Sequence, residues 1–291
     1  ILFGFMFGDV GQGLCLMIGG WLLYHFKKMN LAGILSRCGF CSTIFGFLFG
    51  SFFGFEDVIP ALWLHPKTAM MQVPFVGNLN TVFVVAIGLG MLIILLTMVL
   101  NIYNSVKEHN TEKTWFDTNG VAGLVFYGAL TVTLALYMTG HALPAAIVLV
   151  VMFVIPLLVI FFKEPLTALA EKHAKIMPEE KGMFFVQGVF ELFEVCLSYF
   201  SNTLSFVRIG AFAVSHAAMM EVVLMLAGVE EGNPNWIVIV LGNLFVCGME
   251  GLIVGIQVLR LEYYEMFSRF YSGSGHAFSP YTQKTESNSK K

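Results

Sequence analysis

Four stretches of this sequence are too long and too apolar to belong in water. Residues 81–104, 121–138 and 143–162 contain no Asp, Glu, Lys or Arg, and 34–55 contains only Arg37, near one end. About 20 mostly apolar residues in a helix cross the hydrocarbon core, because every backbone N–H and C=O must be paired inside it. All four read as membrane spans. Two longer apolar regions, about 190–228 and 235–271, carry ionisable residues mid-span and exceed a perpendicular crossing, which predicts tilt or extension beyond the bilayer. Residues 1–24 are apolar except for Asp9, and Gly8-Asp9-Val10-Gly11 breaks them into the tail of one span and a second span. Only 12% of the chain is charged, half the roughly 25% of a soluble domain. The expected fold is an all-α, polytopic transmembrane helical bundle.

The organisation that follows is a set of N-terminal membrane helices over 1–183, with spans near 1–8, 10–24, 34–55, 81–104, 118–138 and 143–162. Two long helices over 184–272 come next, then a tail over 273–291 rich in Ser, Thr and Lys. Between them, 165–182 predicts a short interfacial helix, with Leu166, Leu169, Ala170, His173 and Ile176 on one face and Glu171, Lys172 and Lys175 off it. Alternating spans put Lys27, Lys28, Arg37, Lys107, Lys113, Lys163, Lys172, Lys175, Lys181, Arg269, Lys284, Lys290 and Lys291 on one side and only Lys67 on the other. Cations are retained in the cytoplasm, so the C-terminus is expected there. The longest loop, 56–80, falls outside; its Trp63 and three prolines suit the headgroup level. The chain opens at Ile1 within an apolar run, with no initiator Met or basic leader, so the expectation is a longer protein and no signal peptide.

A charge inside a span costs roughly 2.5–3.5 kcal/mol at mid-helix and marks an ion path or an internal pair. Arg208 lies deep in the run from Val195 to Gly228, where snorkelling is difficult and the guanidinium cannot shed its proton. Glu194, Ser201, Arg208 and Ser215 recur every seven residues, which puts them on one helical stripe, with His216 on its flank. In the last span Glu250 and Gln257 are also seven apart, and Arg260 lies about 80° round the following turn. Two polar stripes can enclose a wet cleft. The simpler alternative is that Arg208 pairs with Glu194 or Glu250 to lock two helices. His216 serves equally well as a satisfied buried partner. Glu221 is placed at the outer interface, and Asp9 either caps a helix or lines a channel, residue type favouring the cap.

Small residues at Gly46-x-x-x-Gly50-x-x-x-Gly54 and Gly251-x-x-x-Gly255 form grooves for close helix approach. The five cysteines, Cys38-Gly-Phe-Cys41 included, fall in apolar stretches and read as packing residues; no further His or Cys pair completes a zinc site. No metal or cofactor is expected. A net charge of −3 offers no field for nucleic acid, and the chain lacks a phosphate loop, a catalytic triad and H-E-x-x-H, so no catalysis is expected of it alone.

The run Ser201-Asn202-Thr203-Leu204-Ser205-Phe206-Val207-Arg208-Ile209-Gly210-Ala211-Phe212-Ala213-Val214-Ser215-His216 resembles the signature helix of the V/A-type ATPase a/I subunit in its bacterial and archaeal form. Met249-Glu250-Gly251 through Arg260, then Phe270-Tyr271-Ser272-Gly273-Ser274-Gly275 leading to Pro280, resemble the family's last helix and tail. Phe7-Gly8-Asp9-Val10-Gly11-Gln12-Gly13 resembles the start of its membrane domain. The resemblance implies about eight membrane helices, the first truncated here and the last two long, tilted and packed on a ring of proteolipid c/K subunits. It makes Arg208 the essential arginine, Glu250 and His216 half-channel residues, Arg260 a second intramembrane arginine, and Glu194 and Asp9 channel positions. It further implies central-stalk and catalytic ATPase subunits in the same complex, a prokaryotic plasma membrane, and peripheral-stalk subunits held through a cytoplasmic arm that this sequence lacks. Gln257 departs from the eukaryotic pattern, which has His there, and cannot relay protons. The rival class is a secondary cation transporter or antiporter, which needs midplane substrate sites and usually an internal repeat; neither is visible.

Overall fold

The computed structural model describes residues 1–275 except 57, 67, 74–76, 110, 141–144, 171–180, 230, 231, 233, 272 and 274. Lys67, the interfacial stretch 171–180 with His173, Ser272, Ser274 and the tail beyond 275 with Pro280 lie outside the described residues. The elements are α1 (Leu2–Met6), α2 (Val10–Lys27), α3 (Asn30–Phe49), β1 (Met70–Val73), β2 (Gly77–Asn80), α4 (Thr81–Lys107), α5 (Val121–Met138), α6 (Ala146–Phe161), α7 (Lys163–Ala170), α8 (Lys181–Ser205), α9 (Val207–Leu226), α10 (Trp236–Leu261) and α11 (Ser268–Phe270). Two π-helical segments, Glu112–Phe116 and Glu262–Phe267, interrupt the α-helical run. The fold is a helical bundle. Five of its helical stretches are long and apolar enough to cross a membrane: Asn30–Phe49, Thr81–Lys107, Glu112–Met138, Gly182–Leu226 and Trp236–Phe270.

One departure from a purely helical chain is the hairpin β1–β2, with Met70 opposite Asn80 and Val73 opposite Gly77. It lies in the loop between α3 and α4, where water can satisfy unpaired strand edges that lipid could not. That loop is tied to the bundle: Trp63 N–H donates to the Leu48 carbonyl (2.9 Å) and its ring stacks on Phe49. Asn80 closes it by accepting from Val82 N–H (2.9 Å), which caps α4.

Glycines decide which helices touch. A side chain at Gly46 would meet Val10 N at 2.3 Å, and one at Gly4 would meet the Cys41 carbonyl carbon at 2.6 Å, so α1 and α2 lie directly on α3. Gly50 ends α3 at φ +72°, a left-handed cap that favours glycine; the expected span 34–55 is therefore a helix displaced toward the N-terminus, 30–49. Nothing in the structure lies within 4 Å of a side chain built at Gly251 or Gly255. That second groove faces away from this chain. The cysteines are all free; Cys15 and Cys196 are exposed on the bundle's outer surface, so those two do not pack within it, while Cys38, Cys41 and Cys247 are half-buried.

Tiny α1 is buried on every side, with Phe5, Met6 and Phe7 in a core shared with Ile94, Met98, Tyr127, Phe206 and Ile209. Phe206 sits at the junction of α8 and α9, where Phe206 N–H reaches back three residues to Thr203 and Ile209 N–H three residues to Phe206. These tighter turns bend the pair without separating it. The Phe206 ring fills the space above Gly90 of α4, and Gly210 lies against Phe83 of the same helix. Backed by α4 on that face, α9 presents Arg208 on another.

Candidate ion path along the last two helices

Arg208 is half-buried; its Nη2 donates to Ser205 Oγ at 3.2 Å, and Ser205 in turn hydrogen-bonds the buried carboxylate of Glu265. Arg260 and Glu265 are its charged neighbours. Neither Glu194 nor Glu250 pairs with it. Among the described residues, Arg208 Nη1 is buried without a partner.

Midway along α9, His216 Nδ1 and Glu250 Oε2 are 2.6 Å apart, both side chains almost fully buried (3% and 2% exposed). The His216 ring also packs on Phe7, with centroids 4.7 Å apart. Further out, Gln12 Nε2 donates to Asn243 Oδ1 (2.9 Å), and Met220 Sδ is 3.1 Å from the same nitrogen. Three segments far apart in the chain thus contribute to one file of polar groups: Gln12, Asn243, His216, Glu250 and then Gln257.

On the other side of Arg208, Asp117, Asn119, Glu191, Glu194, Ser198 and Asn202 line an open polar cleft of about 320 Å³. Arg269 closes one wall. Its Nη1 donates to Asn119 Oδ1 (3.0 Å), and its guanidinium lies 5.8 Å from the centre of the Tyr199 ring. Asn104 Nδ2 donates to the Phe270 carbonyl (3.2 Å), which joins the ends of α4 and α11 at this level.

Eight buried side-chain N and O atoms among the described residues have no hydrogen-bond partner, and seven of them fall on this line: Gln12 Oε1, His216 Nε2, Glu250 Oε1, Gln257 Oε1, Arg208 Nη1, Glu265 Oε2 and Arg269 Nε. Buried polar atoms are normally paired, each exception costing about 1–3 kcal/mol.

The site residues read from the sequence divide into three groups. Arg208, His216, Glu250 and Gln257 lie on the buried line. Glu194, Ser201, Ser215 and Arg260 are exposed, Glu194 at the cleft and the others on the outer surface of the pair α8–α9 and of α10. Asp9 stands apart: it caps α2 by accepting from Gln12 N–H, and it accepts also from Ser51 Oγ and from Phe53 and Gly54 N–H, at 2.8–3.1 Å. All of its acceptor capacity facing these groups is engaged in structure.

Asn243, Glu265, Ser205 and Gln12 are among the contributors that escaped the sequence reading. Asn243 is one heptad before Glu250, so the stripe Asn243–Glu250–Gln257 was there to be extended. Glu265 is eight residues after Gln257, off the heptad on a regular helix; the π turn over Glu262–Phe267 takes up the extra residue and returns Glu265 to the stripe. Ser205 shares Arg208's face one turn back. Gln12 stands with Asp9 as a strongly polar side chain in the apolar run 1–24, a signal the reading passed over.

Residues 163–283 match the family model described as the V-type ATPase 116kDa subunit family. The chain is similar to a/I subunits of A-type and V-type ATPases. An A-type ATP synthase subunit I of Saccharolobus solfataricus is 26% identical over 96% of this chain and 48% of its own length, and that of Methanocaldococcus jannaschii 24% over 98% and 44%. The human V-type proton ATPase 116 kDa subunit a 3 is 32% identical over 38% of this chain and 15% of its own. This chain spans less than half the length of the curated a/I relatives it matches. The family-matched segment holds Arg208, His216, Glu250, Gln257 and Glu265, whereas Asp9 and Gln12 lie outside it.

Proposed function

We propose that this chain is the stator of the membrane sector of a rotary V/A-type ATPase, supplying two ion half-channels and an arginine barrier to a rotating proteolipid ring. The observation that carries the reading is the line of unpaired buried polar atoms that runs past Arg208. The outer half-channel is Gln12, Asn243, His216, Glu250 and Gln257; the cytoplasmic one is the cleft of Glu194, Asn119 and Asn202. The open glycine face at Gly251 and Gly255 suits close approach by a ring helix.

A ring carboxylate crosses lipid cheaply only when neutralised by a proton or a bound sodium ion. Opposite Arg208 it ionises, since a positive charge within about 4–6 Å lowers a carboxylate pKa by 1–3 units. The released ion leaves by one half-channel, and past the arginine the site reloads from the other. Arg208 also repels a cation moving straight between the two, which would dissipate about 2.3 kcal/mol per charge per 100 mV. Glu265, acting through Ser205, holds the guanidinium in place while leaving one of its ends free for the passing carboxylate. Hydrolysis or synthesis of ATP belongs to other subunits. In the intact complex reconstituted in vesicles, Arg208→Ala should abolish ATP-driven ion uptake while ATP hydrolysis persists; undiminished uptake would remove the proposal.

A further inference from the structure

The cytoplasmic end of the α2–α3 hairpin holds a feature that ion transfer does not use. Arg37 is seven residues inside α3, so it stands about 10 Å from the helix start at Asn30. It is exposed, on a helix whose neighbouring surface residues Ile34, Phe40 and Ile44 are exposed and apolar. Among the described residues it has neither a hydrogen bond nor an ion pair. A cation at that depth on an apolar face is costly unless its head reaches an anion or the interface.

Beside it lies an open cavity of about 420 Å³, lined by Trp21 and Tyr24 of α2 and by Asn30, Gly33, Ser36 and Arg37 of α3. Its walls are firm. Gly20 brings the two backbones together, since a side chain there would meet Ser36 N at 2.7 Å, and Ser36 Oγ donates to the Met17 carbonyl at 3.0 Å. Trp21 stacks on His25 and remains 57% exposed, Tyr24 50%. Lys27 and Lys28, both exposed, end the same hairpin on the side where the cations collect.

We propose that this groove binds the headgroup of an anionic phospholipid of the cytoplasmic leaflet. Arg37 takes the phosphate, for which a planar guanidinium with five donors is suited. Trp21 and Tyr24 flank the glycerol region, where amphipathic rings settle, and Asn30 supplies a polar contact to the headgroup. Lys27 and Lys28 add the field that selects a net negative lipid over a zwitterionic one; each basic side chain near the surface is worth about 1 kcal/mol, roughly fivefold in occupancy.

The test uses the complete membrane complex in nanodiscs containing a trace of photoreactive phosphatidylglycerol or photoreactive phosphatidylcholine, followed by mapping of labelled peptides. The phosphatidylglycerol probe should label the segment 21–37 at least about fivefold more than the phosphatidylcholine probe. Arg37→Ala should bring the two to the same level, and Arg37→Lys should keep most of the preference. Equal labelling by both lipids in the wild type overturns the proposal, as does preference unchanged in Arg37→Ala. So does competition by inorganic phosphate, which would make the site one for the free anion, or a cross-link from this segment to another subunit in place of lipid. The wild-type lipid comparison decides the matter even if Arg37→Ala fails to assemble.

Discussion

Asp9 and Glu250 are both carboxylates buried within one apolar bundle, yet their surroundings differ in kind. Asp9 accepts four hydrogen bonds, three from backbone N–H groups and one from Ser51, and joins the start of α2 to the turn after α3. Glu250 has one oxygen on His216 and the other without a partner among the described residues. A buried carboxylate whose oxygens are all engaged is held in place like a rivet, whereas one with an oxygen left over can take a further partner. The difference separates Asp9, which sits where glycine contacts close α1 and α2 on α3, from the line along α8–α10, joined by Gln12 of α2, where bonding is left open.

That contrast can be broken first at Arg208. Arg208→Ala should eliminate coupled ion transport, with the chain still inserted and the complex assembled, measured by ion uptake against ATP hydrolysis in vesicles. If assembly is lost instead, the guanidinium belongs with Asp9 among the structural groups. Asp9→Ala should do the reverse. Each hydrogen bond to a charged group is worth about 1.5–3 kcal/mol, so removing the whole set should lower the thermal midpoint of the purified subunit markedly and reduce its yield. An unchanged midpoint would make Asp9 a channel group, as the family resemblance implies.

Glu250→Gln comes next. It keeps the shape of the side chain but ends its acid–base function, so ion transfer should slow by a factor of about 10²–10⁴ while the thermal midpoint stays put. Loss of the assembled complex would give the His216–Glu250 pair a locking role. The smallest effect is expected for Ser205→Ala, which deletes the bridge between Glu265 and Arg208. A hydrogen bond worth about 1 kcal/mol corresponds to a several-fold loss of coupled transport at unchanged assembly. Rescue by Ser205→Thr would tie that loss to the hydroxyl.

Much of this was legible in the sequence. Charge-free runs of membrane length leave the backbone no option but helix, so the helical bundle follows from composition and spacing, and the depth of Arg208 follows from its distance to either end of its run. The heptad spacing of Glu250 and Gln257 aligned them on one face before any contact was known. The stripe through Arg208 was less well served: Ser201 and Ser215 share its spacing but are exposed, because burial on a helix depends on what packs against it and not on its own periodicity.

What only the tertiary structure decided is which polar groups meet and which go without a partner. Gln12 and Asn243 are 231 positions apart and His216 and Glu250 34 apart; no local pattern encodes such pairings. Glu265 reaches the stripe through a π turn, a shift of register that residue counting on a regular helix misses. Periodicity fixes direction around one helix axis, whereas hydrogen-bond satisfaction is a property of several helices at once, and it is satisfaction that separates the rivet at Asp9 from the open line past Arg208.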